Sequence, residues 1–170
     1  MVEQLAFKLS RNQLVTRSNR VGPIRDSLQK NPIPMVDIII EKNDKVVLIR
    51  RGYGPFKGIL AIPGGYMEVG ETIENAAVRE TKEETSLDVE LIDILGVYSD
   101  PKRDPRKHSI ATVFVGRSIK GNLKADSDAK DAFWMDINEI EKHEFAFDHK
   151  KILLDYLKWR KKKDVFWSTK

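Results

Sequence analysis

The chain has 170 residues, a length that fits one domain large enough to bury a substantial core. Hydrophobic residues make up 41% and charged residues 33%, which is typical of a soluble globular protein and excludes a disordered or fibrous chain. There is no cysteine, so disulfides and thiolate metal sites are excluded, and the net charge of +4 mildly favours anionic ligands.

The first part of the chain, residues 1–34, is predicted to be an N-terminal extension, either an arm or extra strands. It is polar, with scattered arginines, and it ends in the extended connector Asn31-Pro32-Ile33-Pro34. Its beginning lacks the layout of a signal peptide, and no apolar run approaches the length of a membrane span. We therefore expect a cytoplasmic protein without membrane contacts.

The predicted domain covers residues 35–163 and is followed by a short tail, 164–170. Runs of β-branched and aromatic residues predict strands at 35–40, 46–51, 59–63, 89–99, 110–119 and 132–137. Helices are predicted over 71–86 and 148–163, the second with Asp148 as its N-cap. Charge-rich loop residues fill 100–108, and 139–147 is irregular or partly helical. Strands alternating with helices predict an α/β fold with a mixed sheet flanked by helices.

The first predicted helix carries an unusual grouping of acidic side chains. With Thr72 as N-cap and about 100° per residue, one face collects apolar and acidic residues together. That face holds Ile73, Ala76, Ala77, Glu80, Glu83, Glu84 and Leu87. Carboxylates drawn towards the sheet repel each other and lose hydration, so they need Mg²⁺, Mn²⁺ or an arginine as partner. The alternative, a solvated charge run, does not account for their spacing behind the Gly64-Gly65 turn.

The segment from Gly65 to Leu87 resembles the Nudix box. The matching positions are Gly65, Glu71, Arg79, Glu80, Glu83 and Glu84, followed by Ser86 and Leu87. The family usually has glycine at the position of Ser86, where the helix ends in a left-handed conformation, so we expect local strain there. The resemblance extends from about residue 35 to 157 and implies the Nudix α/β/α sandwich with a mixed sheet.

The resemblance also implies metal-dependent hydrolysis of a nucleoside diphosphate linked to another group. By position it assigns Glu80 and Glu84 as leading metal ligands, with the Gly65 carbonyl completing the shell. Glu83 becomes a further ligand or the base that orients water, and Arg79 with Glu71 an ion pair that supports the geometry. The implied cofactor is Mg²⁺ or Mn²⁺, which would activate water and neutralise charge on the phosphoryl oxygens.

Segments outside the box are similar to ADP-ribose pyrophosphatases of this superfamily. They are LGVYSDPKRDPRKHSIATVFVG, LKADSDAKDAFWMDI and EFAFDHKKIL, and Pro101 and Pro105 lie near the proline that those enzymes carry beyond the box. The implied reaction converts ADP-ribose to AMP and ribose 5-phosphate. A nucleoside triphosphate pyrophosphatase remains an alternative, because the box is the same in both.

Five residues are candidates for substrate contacts, each with a structural alternative: Arg51, Tyr98, Arg103, Arg106 and His108. The arginines and His108 suit phosphate or ribose oxygens, or else surface ion pairs and loop hydrogen bonds. Tyr98 either stacks on a base or packs in the sheet core. Glu144 is the candidate for a mobile-loop base.

A non-catalytic nucleotide-binding or RNA-binding Nudix domain is a third hypothesis, although intact box glutamates oppose it. A nucleic-acid partner is not expected, since the basic run near Lys163 suits a solvated helix end. Relatives that pair through N-terminal strands suggest a homodimer by analogy.

Overall fold

Residues 36–40, which are apolar except for Asp37, lie in the middle of a mixed sheet. The structure, a computed structural model, describes residues 31–126 and 129–170, and residues 32–170 form one compact unit. The predicted N-terminal extension therefore falls outside the described residues up to residue 30, and its role stays a prediction.

In the part of the chain that the structure describes, eight strands build the sheet. They are β1 (Ile33–Lys42), β2 (Lys45–Arg51), β3 (Leu60–Ala61), β4 (Gly64–Tyr66), β5 (Asp88–Tyr98), β6 (Ser109–Lys120), β7 (Ala129–Asp136) and β8 (Phe166–Trp167). Their order is β3-β2-β1-β6-β5-β8, with β4 paired to β1 and β7 to β2. The β1–β6 and β5–β8 pairs are parallel and the others antiparallel, which confirms the mixed sheet.

The two helices cover opposite faces of this sheet because side chains of a strand alternate between its faces. On one face, Ile38 packs in a cluster with Ala76 and Ala77 of helix α1 (Ile73–Thr85). On the other face, Ile39 shares a core with residues of helix α2 (His149–Lys162), and a 3₁₀ helix, Ile137–Lys142, adds to it. The predicted α/β/α sandwich is thus confirmed.

Helix α1 begins and ends as its sequence predicts. The Thr72 hydroxyl accepts a hydrogen bond from the Asn75 amide at 3.3 Å, so Thr72 is the N-cap. Ser86 ends the helix in the left-handed conformation with φ of 60°, where the family usually has glycine. Its amide bonds to the Lys82 carbonyl, which holds the strained residue in place.

Two boundaries differ from the expectation. Strand β1 already begins at Ile33, whose amide donates to the His108 carbonyl, so the connector is part of the sheet. The expected tail contains β8: Phe166 is buried in the core and pairs with Gly96 of β5. Gly96 permits this approach, since a Cβ there would stand 2.0 Å from the Phe166 carbonyl oxygen.

Helix α2 starts after Asp148, but this residue does not cap it with its side chain. The carboxylate instead accepts hydrogen bonds from Nε and Nη2 of Arg103. These charge-assisted bonds are stronger than a capping bond from a backbone amide. Within the described residues, no helix is long and apolar enough to cross a membrane.

Candidate active site

Arg79 joins acidic side chains of α1 with Glu71, which precedes the helix. Its Nη2 lies 2.7 Å from Glu71 Oε1 and its Nε 3.2 Å from Oε2, so the predicted ion pair is present and has two contacts. Its Nη1 donates to Glu80 at 3.0 Å and to Glu83 at 3.3 Å. The Tyr66 carbonyl accepts from Nη2, which ties this network to β4. These bonds, led by that from Glu71, raise the pKa of Arg79, and Arg79 in turn lowers the pKa of Glu71.

Glu84 is the most deeply placed carboxylate of the helix. It is 7% exposed, and its Oε2 accepts a hydrogen bond from the Gly64 amide at 2.9 Å. Burial raises the pKa of Glu84 to about 8, although the Gly64 amide favours the ionised form. A carboxylate in this position needs a cation to be ionised at neutral pH.

The backbone of the Gly64-Gly65 turn lies in close contact with the carboxylates of Glu80 and Asp37. A Cβ on Gly65 would stand 2.3 Å from Glu80 Cδ, and a Cβ on Gly64 would stand 2.6 Å from Asp37 Oδ1. Because glycine has no side chain, the turn leaves room for both carboxylates at the inner end of β4. Burial also raises the pKa of Glu80, and Arg79 offsets this only in part.

The donor set fits a divalent cation by its chemistry. Glu80, Glu83 and Glu84 offer carboxylate oxygens within little more than one turn of one helix, beside the backbone of Gly65. Hard cations such as Mg²⁺ and Mn²⁺ prefer oxygen ligands of this kind. In the described residues no three acidic or histidine side chains converge on one point, and Arg79 contacts one oxygen each of Glu80 and Glu83. The assignment of these four residues as ligands stays a prediction.

Arg103 is the centre of a second, buried charge network. Its side chain is 2% exposed, and it contacts Asp37 at 3.3 Å and Asp148 at 2.9 Å. Nη1 also donates to the Ser109 hydroxyl. Burial alone would lower the pKa of Arg103, but the two carboxylates raise it. Arg103 therefore holds β1, the loop after β5 and the start of α2 together.

Two further arginines meet at one aromatic ring. The guanidinium carbons of Arg51 and Arg106 lie 5.0 Å and 5.5 Å from the centre of the Phe147 ring. Arg51 Nε donates to the Pro55 carbonyl, and Arg106 forms a two-point ion pair with Asp104. Phe147 has a left-handed backbone with φ of 55°, which is uncommon for a non-glycine residue. Such contacts fix both guanidinium groups at the cleft wall.

His149 lies in the first turn of α2 and is 4% exposed. Its Nδ1 accepts a hydrogen bond from the Ile62 amide at 2.9 Å, and its ring lies 5.3 Å from that of Phe147. Burial lowers the pKa of His149 to about 3, and Arg103 adds to this. The imidazole is therefore neutral.

Most of these groups border one cleft of about 340 Å³. Among its lining residues are Asp37, Arg51, Gly64, Gly65, Tyr66, Arg79, Glu80, Glu83, Glu84, Arg103, Arg106, Phe147 and His149. The structure thus brings together the box residues Glu80, Glu83 and Glu84 with three of the five expected substrate contacts, Arg51, Arg103 and Arg106, while Glu71 is joined to them through Arg79.

The other two expected substrate contacts, Tyr98 and His108, and the candidate base Glu144 do not line this cleft. Tyr98 is fully buried, and its hydroxyl donates to Asp155 at 3.1 Å, so the sheet-core alternative is right and stacking on a base is wrong. Burial raises the pKa of Tyr98. His108 is exposed, and its Nε2 lies 3.1 Å from the Ser99 carbonyl. Glu144 borders a separate depression next to Phe133 and His143.

Sequence reasoning missed Asp37, Phe147 and His149 as cleft residues. Asp37 was hidden in the apolar run of β1, where a buried charge is itself an unusual signal. His149 follows the residue expected to cap α2, and a helix start is a common place for ligand contacts.

Comparison with known proteins agrees with this geometry. The model of the NUDIX domain matches residues 32–156. An ADP-ribose pyrophosphatase of Methanocaldococcus jannaschii is 52% identical over 133 residues, which are 78% of this chain and 78% of that protein. The residues that the domain model matches include the whole segment that carries the box.

Two solved structures have the same architecture. A NUDIX hydrolase from Nitrosomonas europaea has a TM-score of 0.71 and 27% identity, covering 81% of this chain and 76% of that one. A bifunctional NMN adenylyltransferase/ADP ribose pyrophosphatase from Francisella tularensis, complexed with AMP and a manganese ion, has a TM-score of 0.65 and 25% identity. The match covers 92% of this chain and 47% of the Francisella tularensis protein. The match to the domain model and the 52% identity to a relative show that this chain belongs to the Nudix family of hydrolases.

Proposed function

We propose that this protein hydrolyses the diphosphate of ADP-ribose to AMP and ribose 5-phosphate, with Mg²⁺ or Mn²⁺ as cofactor. The observation that carries the proposal is the meeting of two sets of groups at one cleft. The carboxylates of Glu80, Glu83 and Glu84 line it together with the guanidinium groups of Arg51 and Arg106. Acidic cation ligands beside basic groups suit a metal-bound diphosphate.

Divalent cations are required by Nudix ADP-ribose pyrophosphatases. In this chain Glu80, Glu84, Glu83 and the carbonyl of Gly65 would hold the ion. When bound, such an ion neutralises charge on the phosphoryl oxygens and lowers the pKa of a coordinated water. The buried Glu84 gains most from it, since its ionised form lacks water around it.

The side chains of the helix divide the remaining work. Glu83 is half exposed at the cleft, so it can take a proton from an attacking water and release it to solvent. Arg79 and Glu71 keep Glu80 and Glu83 oriented by the ion-pair network described above. These five residues form the proposed catalytic set: Glu71, Arg79, Glu80, Glu83 and Glu84.

Arg51 and Arg106, which line the cleft, would bind the diphosphate. Arg51 and Arg106 are pre-oriented by Phe147, which reduces the entropy lost when they clamp phosphate oxygens. Arg103 is occupied by Asp37 and Asp148, so we assign it to the support of the cleft wall rather than to substrate. The names of the relatives from M. jannaschii and F. tularensis support ADP-ribose as the substrate.

The experiment is a panel of substrates given to purified protein with Mg²⁺ and with Mn²⁺. We expect ADP-ribose to give AMP faster than nucleotide sugars or nucleoside triphosphates. Preferential release of pyrophosphate from a triphosphate would support the nucleotide-pool alternative instead. Turnover of no member of the panel would support a non-catalytic nucleotide-binding domain. A homodimer and a cytoplasmic location remain predictions of the sequence.

A further inference from the structure

The hydrogen bond between Ile62 and His149 fixes where the proton of the imidazole sits. The Ile62 amide donates to Nδ1 at 2.9 Å, so Nδ1 must offer its lone pair. A neutral imidazole carries one proton, which is then on Nε2. His149 therefore presents a permanent hydrogen-bond donor, Nε2–H, from a side chain that borders the cleft.

This donor lies beside an acceptor. Asp37 Oδ1 is 3.8 Å from His149 Nε2, which is longer than a hydrogen bond. Within residues 31–126 and 129–170 neither atom has another hydrogen-bond partner, whereas Asp37 Oδ2 accepts from Arg103. Both side chains are almost fully buried. Among the described residues the one fully buried side-chain oxygen or nitrogen without a partner is Thr81 Oγ1, so both of these atoms open on the cleft, where a ligand would meet a donor and an acceptor side by side.

The surroundings decide which part of a nucleotide would fit there. Asp148 precedes His149, and Glu84 lies close enough to Asp37 for their charges to interact. Arg103 is already paired with Asp37 and Asp148, so it is not available to a phosphate, and Glu84 is assigned to the metal ion. The phosphates have better partners in the guanidinium groups at Phe147.

The same end of the cleft suits a flat, uncharged group. The Phe147 ring lies 5.3 Å from the His149 ring, and the apolar side chains of Ile49 and Ile62 also line the cleft. Apolar walls with one donor and one acceptor are the usual features of a site that reads the edge of a base. Adenine offers the complementary pair, a ring nitrogen that accepts next to a 6-amino group that donates.

We propose that Asp37 and His149 form the base-recognition pair of the cleft, in which Nε2–H donates to a ring nitrogen of adenine and Asp37 Oδ1 accepts from its 6-amino group. This rests on the proposed function, since it places the adenine of ADP-ribose. It makes both residues determinants of specificity. A 6-oxo base would set its carbonyl oxygen against the carboxylate of Asp37 and would be rejected.

The test is calorimetric binding of AMP and of IMP, in the presence of Mg²⁺, to the intact protein. AMP and IMP share ribose and phosphate and differ only at the base edge. We expect AMP to bind about 10- to 100-fold more tightly than IMP, the discrimination usual for a two-point contact with a base. Equal affinity for the two nucleotides would overturn the proposal. Equal affinity together with weak binding of 2′-deoxy-AMP would assign the pair to the ribose instead.

Two variants separate recognition from folding. Asp37→Asn keeps an oxygen for Arg103, which Asp148 also still holds, but offers an amide donor to the base. It should abolish or reverse the preference for AMP. In His149→Asn the shorter amide can still accept from Ile62 while the donor at the cleft is lost, so AMP affinity should fall about tenfold. The exposed His108→Asn is the matched control and should bind as the wild type does.

Binding and turnover fail separately. If the protein does not hydrolyse ADP-ribose but binds AMP more tightly than IMP, the proposed substrate is refuted and the base-recognition pair is retained. A protein that hydrolyses ADP-ribose and IDP-ribose with equal kcat/KM would retain the function and refute the pair. A variant that loses the near-UV circular dichroism of the wild type is misfolded and is discarded. The comparison of AMP with IMP in the wild type then decides the proposal by itself.

Discussion

The carboxylate of Glu80 lies where a side chain on Gly65 would stand, with 2.3 Å between Cδ and the position of a Cβ. Gly65→Ala should therefore push Glu80 away from its place in the site. We expect kcat/KM to fall about tenfold to a hundredfold and the Mn²⁺ concentration for half-maximal activity to rise, as when the surroundings of a metal ligand are disturbed. A titration of activity with Mn²⁺ measures both effects.

The matched control is Gly54→Ala, since nothing lies within 4 Å of a Cβ there. It should keep its dependence on Mn²⁺. An unchanged titration curve for Gly65→Ala would mean that Glu80 does not ligate the metal from this position.

The second prediction concerns the geometry of Arg79. Arg79→Lys keeps the charge but loses the simultaneous contacts with Glu71, Glu80 and Glu83, because an ammonium group cannot form a planar fork. We expect kcat to fall about tenfold or more, and KM to change less. Steady-state kinetics with ADP-ribose gives both constants.

Arg117→Lys is the same substitution at an exposed ion pair with Glu90. It should leave kinetics unchanged and stability within about 1 kcal/mol of wild type. Equal kcat values for the two variants would contradict the positioning role of Arg79.

The third prediction tests the assignment of Tyr98 to the core. Tyr98→Phe removes the hydrogen bond to Asp155, whose carboxylate keeps its contacts with Lys151 and Lys158. Unfolding free energy should fall by about 1 kcal/mol, the value of one such bond. Urea denaturation measures this, and KM for ADP-ribose should not change. A clear rise in KM with unchanged stability would restore Tyr98 as a substrate contact.

The fourth prediction follows from the lowered pKa of His149. In the folded protein the pKa is about 3, against an ordinary value of 6.5. Between these values the unfolded chain binds a proton that the folded chain does not, so stability falls as the pH drops below 6.5 and is constant above it. The expected loss from this group is about 2 kcal/mol between pH 7 and pH 5.

Urea denaturation of wild type and His149→Asn at pH 7, 6 and 5 isolates the effect. Groups away from residue 149 titrate alike in both proteins, so the difference in slope belongs to His149 and its neighbour Asp37. Parallel curves would show that the imidazole is protonated in the folded state or reaches solvent.

Features that depend on local order along the chain are predictable from the sequence. The spacing of Glu80, Glu83 and Glu84, the cap at Thr72 and the left-handed Ser86 are all properties of one helix. The residues of the box are therefore enough to predict one wall of the cleft. The alternation of β1 between the two helical layers is local in the same sense.

The rest of the site depends on contacts between distant parts of the chain. Ile62 and His149 are 87 residues apart, and Asp37 and Arg103 are 66 apart. Whether Asp148 caps its helix depends on Arg103 reaching it from another loop. The residue type of Tyr98 fits a ligand site as well as the favoured core position, and its burial with the partner Asp155 decides between them.

The most direct test of the central claim is kcat for ADP-ribose with Mg²⁺ in the wild type and in Glu84→Gln. The amide keeps the shape of the side chain and an oxygen for the Gly64 amide, but it removes the negative charge. We predict rapid formation of AMP by the wild type and a loss of at least about a hundredfold in the variant. Glu90→Gln, at an exposed glutamate, should match the wild type. Hydrolysis by Glu84→Gln at the wild-type rate would contradict the claim that this buried carboxylate holds the cation that drives the reaction.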